Sequence, residues 1–134
     1  MKKLLFILSA FFAVVACDNS EEYATPVVFT PAYFEIEANT GGTYAFTTDV
    51  PAYVRYVHYA HYDYYPTRGG NKWERPKTLP ATHELGWFSI TQLTDTTFEV
   101  TIGKEHDSNS ILEIYVTPYV SGAKSDGEIS FFLQ

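Results

Sequence analysis

Apolar and polar residues alternate along most of the chain after residue 26. Glu35 and Glu37 separate Phe34, Ile36 and Ala38, and Glu99 and Thr101 separate Phe98, Val100 and Ile102. Leu112, Ile114 and Val116 alternate with Glu113, Tyr115 and Thr117, and Ile129, Phe131 and Leu133 with Ser130 and Phe132. A period of two is the mark of a strand with one buried and one wet face. Val27 to Phe29 reads as a first edge segment. Tyr44 and Phe46 mark the strand returning after the Asn39-Thr40-Gly41-Gly42 turn, where glycines tolerate positive φ. Trp87 to Thr91 is a further strand, and polar turns lie at Gly103 to Ser110 and Ser121 to Gly127. Beyond the first 16 residues, no stretch of ten or more residues has a helical stripe. About seven short strands with turn signals between them predict an all-β sandwich.

One strand breaks the pattern. Between Pro51 and Pro66 the chain reads Tyr-Val-Arg-Tyr-Val-His-Tyr-Ala-His-Tyr-Asp-Tyr-Tyr, holding six of the eleven tyrosines. Tyr and Val favour a pleated strand. Strict alternation puts Val54, Tyr56, His58, Ala60, Tyr62 and Tyr64 on one face, and Tyr53, Arg55, Val57, Tyr59, His61, Asp63 and Tyr65 on the other. Both faces then carry rings, and only one can meet the core. The other must lie under a loop, against a partner or in water. Residues 66 to 84 lack a period and contain Gly69-Gly70, Pro76 and Pro80, so they read as a long loop or irregular hairpin tip with Trp73 at its middle. Loops of this length in compact domains tend to be functional or disordered.

The first residues are not part of the domain. Lys2 and Lys3 precede an apolar run from Leu4 to Val15, followed by Ala16 and Cys17. That is the layout of a secretory signal, and the run is short for a membrane-spanning helix. The chain's one cysteine has no intramolecular partner. Val14-Val15-Ala16-Cys17 resembles the lipobox of bacterial lipoproteins. The resemblance implies a signal peptide over 1–16, lipidation of Cys17, and a membrane anchor at that residue. Residues 17–26 then serve as a polar tether. Asp18-Asn19-Ser20-Glu21-Glu22 resembles the acidic export tag of Bacteroidetes surface lipoproteins. In enterobacterial lipoproteins an aspartate at that place implies retention at the inner membrane instead. The expected location is the outer membrane, lipid-anchored on the cell surface, with a periplasm-facing anchor as the alternative.

Loss of residues 1–16 removes two lysines and no acid, taking the formal charge from −7 to −9. So acidic a chain repels nucleic acid. Arg68, Lys72, Arg75 and Lys77 cluster within ten positions, as a solvated loop or an anion-binding patch. His61 and Asp63 share a strand face and offer two metal ligands, short of the three or four a metal needs. Asp63, Glu74 and Glu84 lie in or near the unusual segment, but nothing sets their spacing. With no glycine-flanked serine, phosphate loop or His-Glu helix pair, the expectation is a protein that is not an enzyme and needs no cofactor.

The pieces Pro31-Ala32-Tyr33-Phe34-Glu35-Ile36, Gly41-Gly42-Thr43-Tyr44-Ala45-Phe46, Trp87-Phe88-Ser89-Ile90 and Phe98-Glu99-Val100-Thr101-Ile102, with the last strand ending at Gln134, resemble the BACON domain. This is an immunoglobulin-like sandwich family of Bacteroidetes surface proteins. The resemblance spans most of 27–134 and implies an immunoglobulin-like β-sandwich there. Its expected core is Phe34, Ile36, Phe46, Trp87, Ile90, Val100, Ile102, Leu112, Ile114, Val116 and Phe131. Residues 53 to 84 exceed the family's usual link, and the arginine often found before the penultimate strand is missing at Ser110-Ile111. The family is proposed to bind carbohydrate or mucin, but it supplies no binding residues. Tyr and Trp pair a flat apolar face with a hydrogen-bonding edge, which suits sugar rings. The expected function is carbohydrate binding: a non-catalytic module taking glycan or glycoprotein through Tyr53, Tyr56, Tyr59, Tyr62, Tyr64, Tyr65 and Trp73. The alternative is a structural or assembly protein whose rings dock an envelope protein, since Tyr, Trp and Arg also anchor protein interfaces.

Overall fold

The alternating runs become strands. The computed structural model of the chain describes residues 25–61, 67–69, 72–122 and 124–134. Among them are ten strands: β1 (Phe29–Thr30), β2 (Tyr33–Ile36), β3 (Gly42–Thr48), β4 (Ala52–His61), β5 (Thr67–Gly69), β6 (Ala81–Glu84), β7 (Phe88–Gln92), β8 (Thr97–Ile102), β9 (Ser110–Pro118) and β10 (Gly127–Leu133). They form two five-stranded sheets with the orders β1-β3-β8-β7-β6 and β2-β10-β9-β4-β5. Only β2 and β10 pair in parallel; the other pairings are antiparallel. The architecture is an all-β sandwich. Cys17, Tyr62, Asp63, Tyr64 and Tyr65, with the signal stretch and most of the tether, lie outside the described residues.

The inward positions of the two sheets share one core. Ile36, Phe46, Ile90, Val100, Ile102, Leu112, Ile114, Val116 and Phe131 are buried as their spacing predicts, while Phe34 and Trp87 are half-buried against them. Phe46 stacks on Phe98 at 5.0 Å within its own sheet and meets Phe131 of the other edge-on at 6.5 Å. Phe34 and Tyr44 meet across the gap at 5.4 Å.

Several expectations are corrected. The chain does not return beside β2. β3 joins β1 and β8, whereas β2 runs along β10 in the opposite sheet. Alternation tells which face a residue takes and says nothing about its neighbouring strand. In that turn the positive φ, 59°, belongs to Asn39. Gly41 is required for a different reason: a Cβ there would lie 2.6 Å from the Ile102 carbonyl oxygen. The stretch 66–84, expected as a long loop or irregular hairpin tip, contains β5, which pairs antiparallel with β4, and β6; they are three and four residues long and carry no apolar alternation. The strand expected from Trp87 begins at Phe88, which points inward and leaves Trp87 half-buried at the end of the sandwich.

A further correction decides the candidate site. The β4–β9 register slips between Val54 and Tyr56. This bulge inserts one residue and inverts the alternation after it. Ala52 and Val54 point inward before it, and Val57 points inward after it. Tyr59 follows Val57 into the core side and packs against Trp87 at 5.6 Å. Tyr56 and His58 therefore lie on the outer face, with Tyr53. The two faces derived from strict alternation are thus exchanged, relative to Val54, from Tyr56 to Tyr59.

Candidate functional site

The outer face of the second sheet is ordered in rows by strand register. Tyr56 of β4 lies opposite Tyr115 of β9, which lies opposite Glu128 of β10. In the next row, His58 faces Glu113, then Ser130, then Tyr33 of β2. Ile111, Phe132 and Glu35 follow. Directly opposed residues in neighbouring strands are close enough for ring and charge contact.

The contacts follow the rows. Tyr56 and Tyr115 stack at 4.5 Å with planes 9° apart. Tyr33 and Phe132 meet edge to face at 5.8 Å, and Tyr33 is among the exposed large apolar side chains. His58 Nδ1 donates to Glu113 Oε1 at 2.9 Å, and the Tyr115 hydroxyl donates to the same oxygen at 3.4 Å. Partial burial, followed by the Glu113 and Glu128 carboxylates, holds the Tyr115 phenol well above its ordinary value. Glu128 is pushed up from the usual carboxylate range by desolvation first and by a hydrogen bond with Glu113 second.

Two shallow depressions open on this face. One, of about 440 Å³, is lined by Pro26, Val27, Tyr56, Tyr115, Asp126, Gly127 and Glu128. The other, of about 430 Å³, lies over Tyr33, Glu35, Ser130, Phe132 and Gln134. The first owes one wall to the segment before β1. Val27 N–H donates to Ser125 O at 3.1 Å and Ser125 N–H to Thr25 O at 2.9 Å. Gly127 permits that approach, because a Cβ there would sit 2.7 Å from the Val27 carbonyl oxygen.

Of the ring residues expected to bind, Tyr53 and Tyr56 lie on the outer face and Tyr59 points to the core side. Tyr53 lies 6.0 Å from Tyr119, whose other neighbour is the Arg75 guanidinium, 3.7 Å from its ring centre. The Lys72 ammonium lies 5.9 Å from the Tyr56 ring centre. Two of the four clustered basic residues are thus laid against tyrosines, Tyr56 within this sheet and Tyr119 just beyond the end of β9. Glu74 and Glu84 are exposed. Among the described residues no group of three or more His, Cys, Asp or Glu could hold a metal, and no helix is long and apolar enough to cross a membrane.

Trp73 occupies another position. Its N–H donates to Arg55 O at 2.8 Å, and Arg55 Nη1 donates back to Trp73 O at 2.8 Å. Arg55 lies at the β4 register slip. The indole stacks on His83 of β6 at 4.3 Å, within 18° of parallel. Trp73 therefore ties the second sheet's β4 to the first sheet's β6 across the open side of the sandwich. Burial holds the His83 imidazole below its ordinary value of 6.5. The stabilising contribution is present above that value and is lost as pH falls through the lowered one. Acidification should accordingly quench Trp73 fluorescence in a Trp87→Phe background, and His83→Gln should remove that step from the titration.

Tyr33, Glu113, Tyr115, Glu128 and Phe132 were not expected as site residues. Their signal was present, since each occupies the outward register of an alternating run. An outward aromatic on a regular strand becomes informative only when its cross-strand neighbour is known.

No protein-family model matches the chain, and no curated protein matches it. The chain is similar in structure to a protein from Bacteroides thetaiotaomicron solved by NMR, at 15% identity and a TM-score of 0.48, over 84% of this chain and 91% of that one.

Proposed function

We propose that this chain is a non-catalytic, BACON-like module, anchored by a lipid on Cys17 at the outer surface of the outer membrane, that binds glycan or glycoprotein on the outer face of its second sheet. The observation that carries this reading is the ring set Tyr33, Phe132, Tyr115 and Tyr56, spread over four adjacent strands and bordered by carboxylates. Partly covered rings beside hydrogen-bonding groups suit a saccharide, whose C–H faces stack while its hydroxyls need partners. The strand order supports the immunoglobulin-like part of the reading. β1, β3, β8 and β7 occupy the places of A, B, E and D, and β4, β9 and β10 those of C, F and G.

The binding face differs from the one alternation implied. Tyr56 remains, Tyr115 joins it, and Trp73 serves to fasten the insertion. A fragment of residues 18–134 keeps every described residue and can be titrated with a panel of soluble oligosaccharides. Binding should perturb the Tyr56 and Tyr115 ring resonances, and Tyr115→Ala should weaken it about tenfold, the scale of one lost ring contact. Absence of any response across the panel, together with capture of one defined envelope protein through Tyr33 and Phe132, would favour the assembly role. Acylated Cys17 in native membranes, detected by mass spectrometry, checks the anchor. An unchanged membrane fraction after Cys17→Ala refutes it.

A further inference from the structure

The depression beside Tyr56 and Tyr115 has a bias that a neutral sugar does not explain. Its apolar walls are Pro26, Val27 and the two stacked rings, and its polar groups are Asp126 and Glu128. Glu113 lies on β9, the strand paired with Glu128's, and is bonded to His58 and to the Tyr115 hydroxyl. Ionised carboxylates only accept hydrogen bonds, whereas a saccharide hydroxyl both donates and accepts. An ammonium group has three donors and no acceptor, and it is attracted to the face of an aromatic ring. The chain already makes one such contact here, with the Lys72 ammonium 5.9 Å from the Tyr56 ring centre.

Resting on the glycan reading above, we propose that this cleft takes a saccharide bearing a free primary amine, with the ammonium set between the Tyr56–Tyr115 rings and the Glu113–Glu128 carboxyl pair. The groups facing it are His58, Glu113, Tyr115, Asp126 and Glu128, with Lys72 as the competing cation. N-acetylation removes the charge and leaves a bulky amide facing acceptors, which disfavours the acetylated sugar.

The test uses the full chain in detergent micelles, titrated calorimetrically with a β-1,4-linked glucosamine oligomer and with its N-acetylated counterpart at mildly acidic pH. The free-amine oligomer should bind at least about tenfold more tightly, the scale of a charge-assisted contact plus a cation–ring contact. Glu128→Gln keeps the side-chain shape and should erase the preference. Equal affinity for the two oligomers, unchanged by Glu128→Gln, overturns the inference and leaves the glycan reading standing. No binding by either, with no response across a broad neutral panel, removes both.

Discussion

Replacing Phe46 by alanine should lower the unfolding free energy by about 3–5 kcal/mol, the range for losing a large aromatic from a packed core. Phe46 is 1% exposed, stacked on Phe98 at 5.0 Å, edge-on to Phe29 at 5.6 Å, and in contact with Phe131 of the facing sheet. Its removal empties the place where both sheets and β1 converge. Native interiors leave few voids of that size, and the neighbours relax only partly. Small domains have a total stability of about 5–15 kcal/mol, so the variant should lose a large share of it. Chemical denaturation measures the loss as a lower midpoint with little change in slope. A midpoint within experimental error of the parent would mean the two sheets do not share this core.

Trp73→Ala should be the most damaging substitution outside that core, at about 1.5–3 kcal/mol, the scale of taking one large apolar side chain out of contact. The loss acts on a connection. Trp73 joins β4 to β6 through the bonds of its backbone to the Arg55 carbonyl and guanidinium, which alanine keeps, and through its indole stack on His83, which alanine removes. Without the indole, water reaches the His83 ring, and the imidazole should titrate closer to its ordinary value. An NMR titration of His83 in the variant checks this: a rise supports the packing role, and an unchanged value shows that the indole does not cover the ring. The same variant tests the site. A ligand affinity lost through Trp73 alone, with stability and His83 titration intact, would return this residue to the binding surface.

Several features of the molecule are legible in its residues. Alternating runs at Phe98–Ile102, Leu112–Val116 and Ile129–Leu133 became β8, β9 and β10, with the expected side chains inside. Their burial follows from local chemistry, because a strand with every second residue apolar has one face that must leave water. That argument needs no knowledge of the partner strand. It also explains why Phe98, Ile129 and Leu133 are as fully buried as the residues named for the core.

The candidate site was less legible. The tyrosine run announced excess rings, but it did not say which of them point outward. The answer depends on a bulge at Val54–Tyr56, and a bulge is a mismatch between two strands that are distant in the chain. The same holds for Tyr115 and Glu128, brought beside Tyr56 and Glu113 by pairing across β4, β9 and β10. β5 and β6 were hidden because strands of three or four residues without large apolar side chains take their form from a neighbour's hydrogen bonds more than from their own side chains.

By itself the sequence determined the all-β class, the period-two faces of the regular strands and the apolar residues that fill the core, since these depend on side-chain polarity and spacing alone. The tertiary structure decided the assignment of β2 and β3 to opposite sheets, the inversion of faces within β4, the fastening role of Trp73 and the juxtaposition of His58, Glu113, Tyr115 and Glu128. Each of these is a relation between residues far apart in the chain, and strand partners and register are chosen by the packing of the whole sandwich.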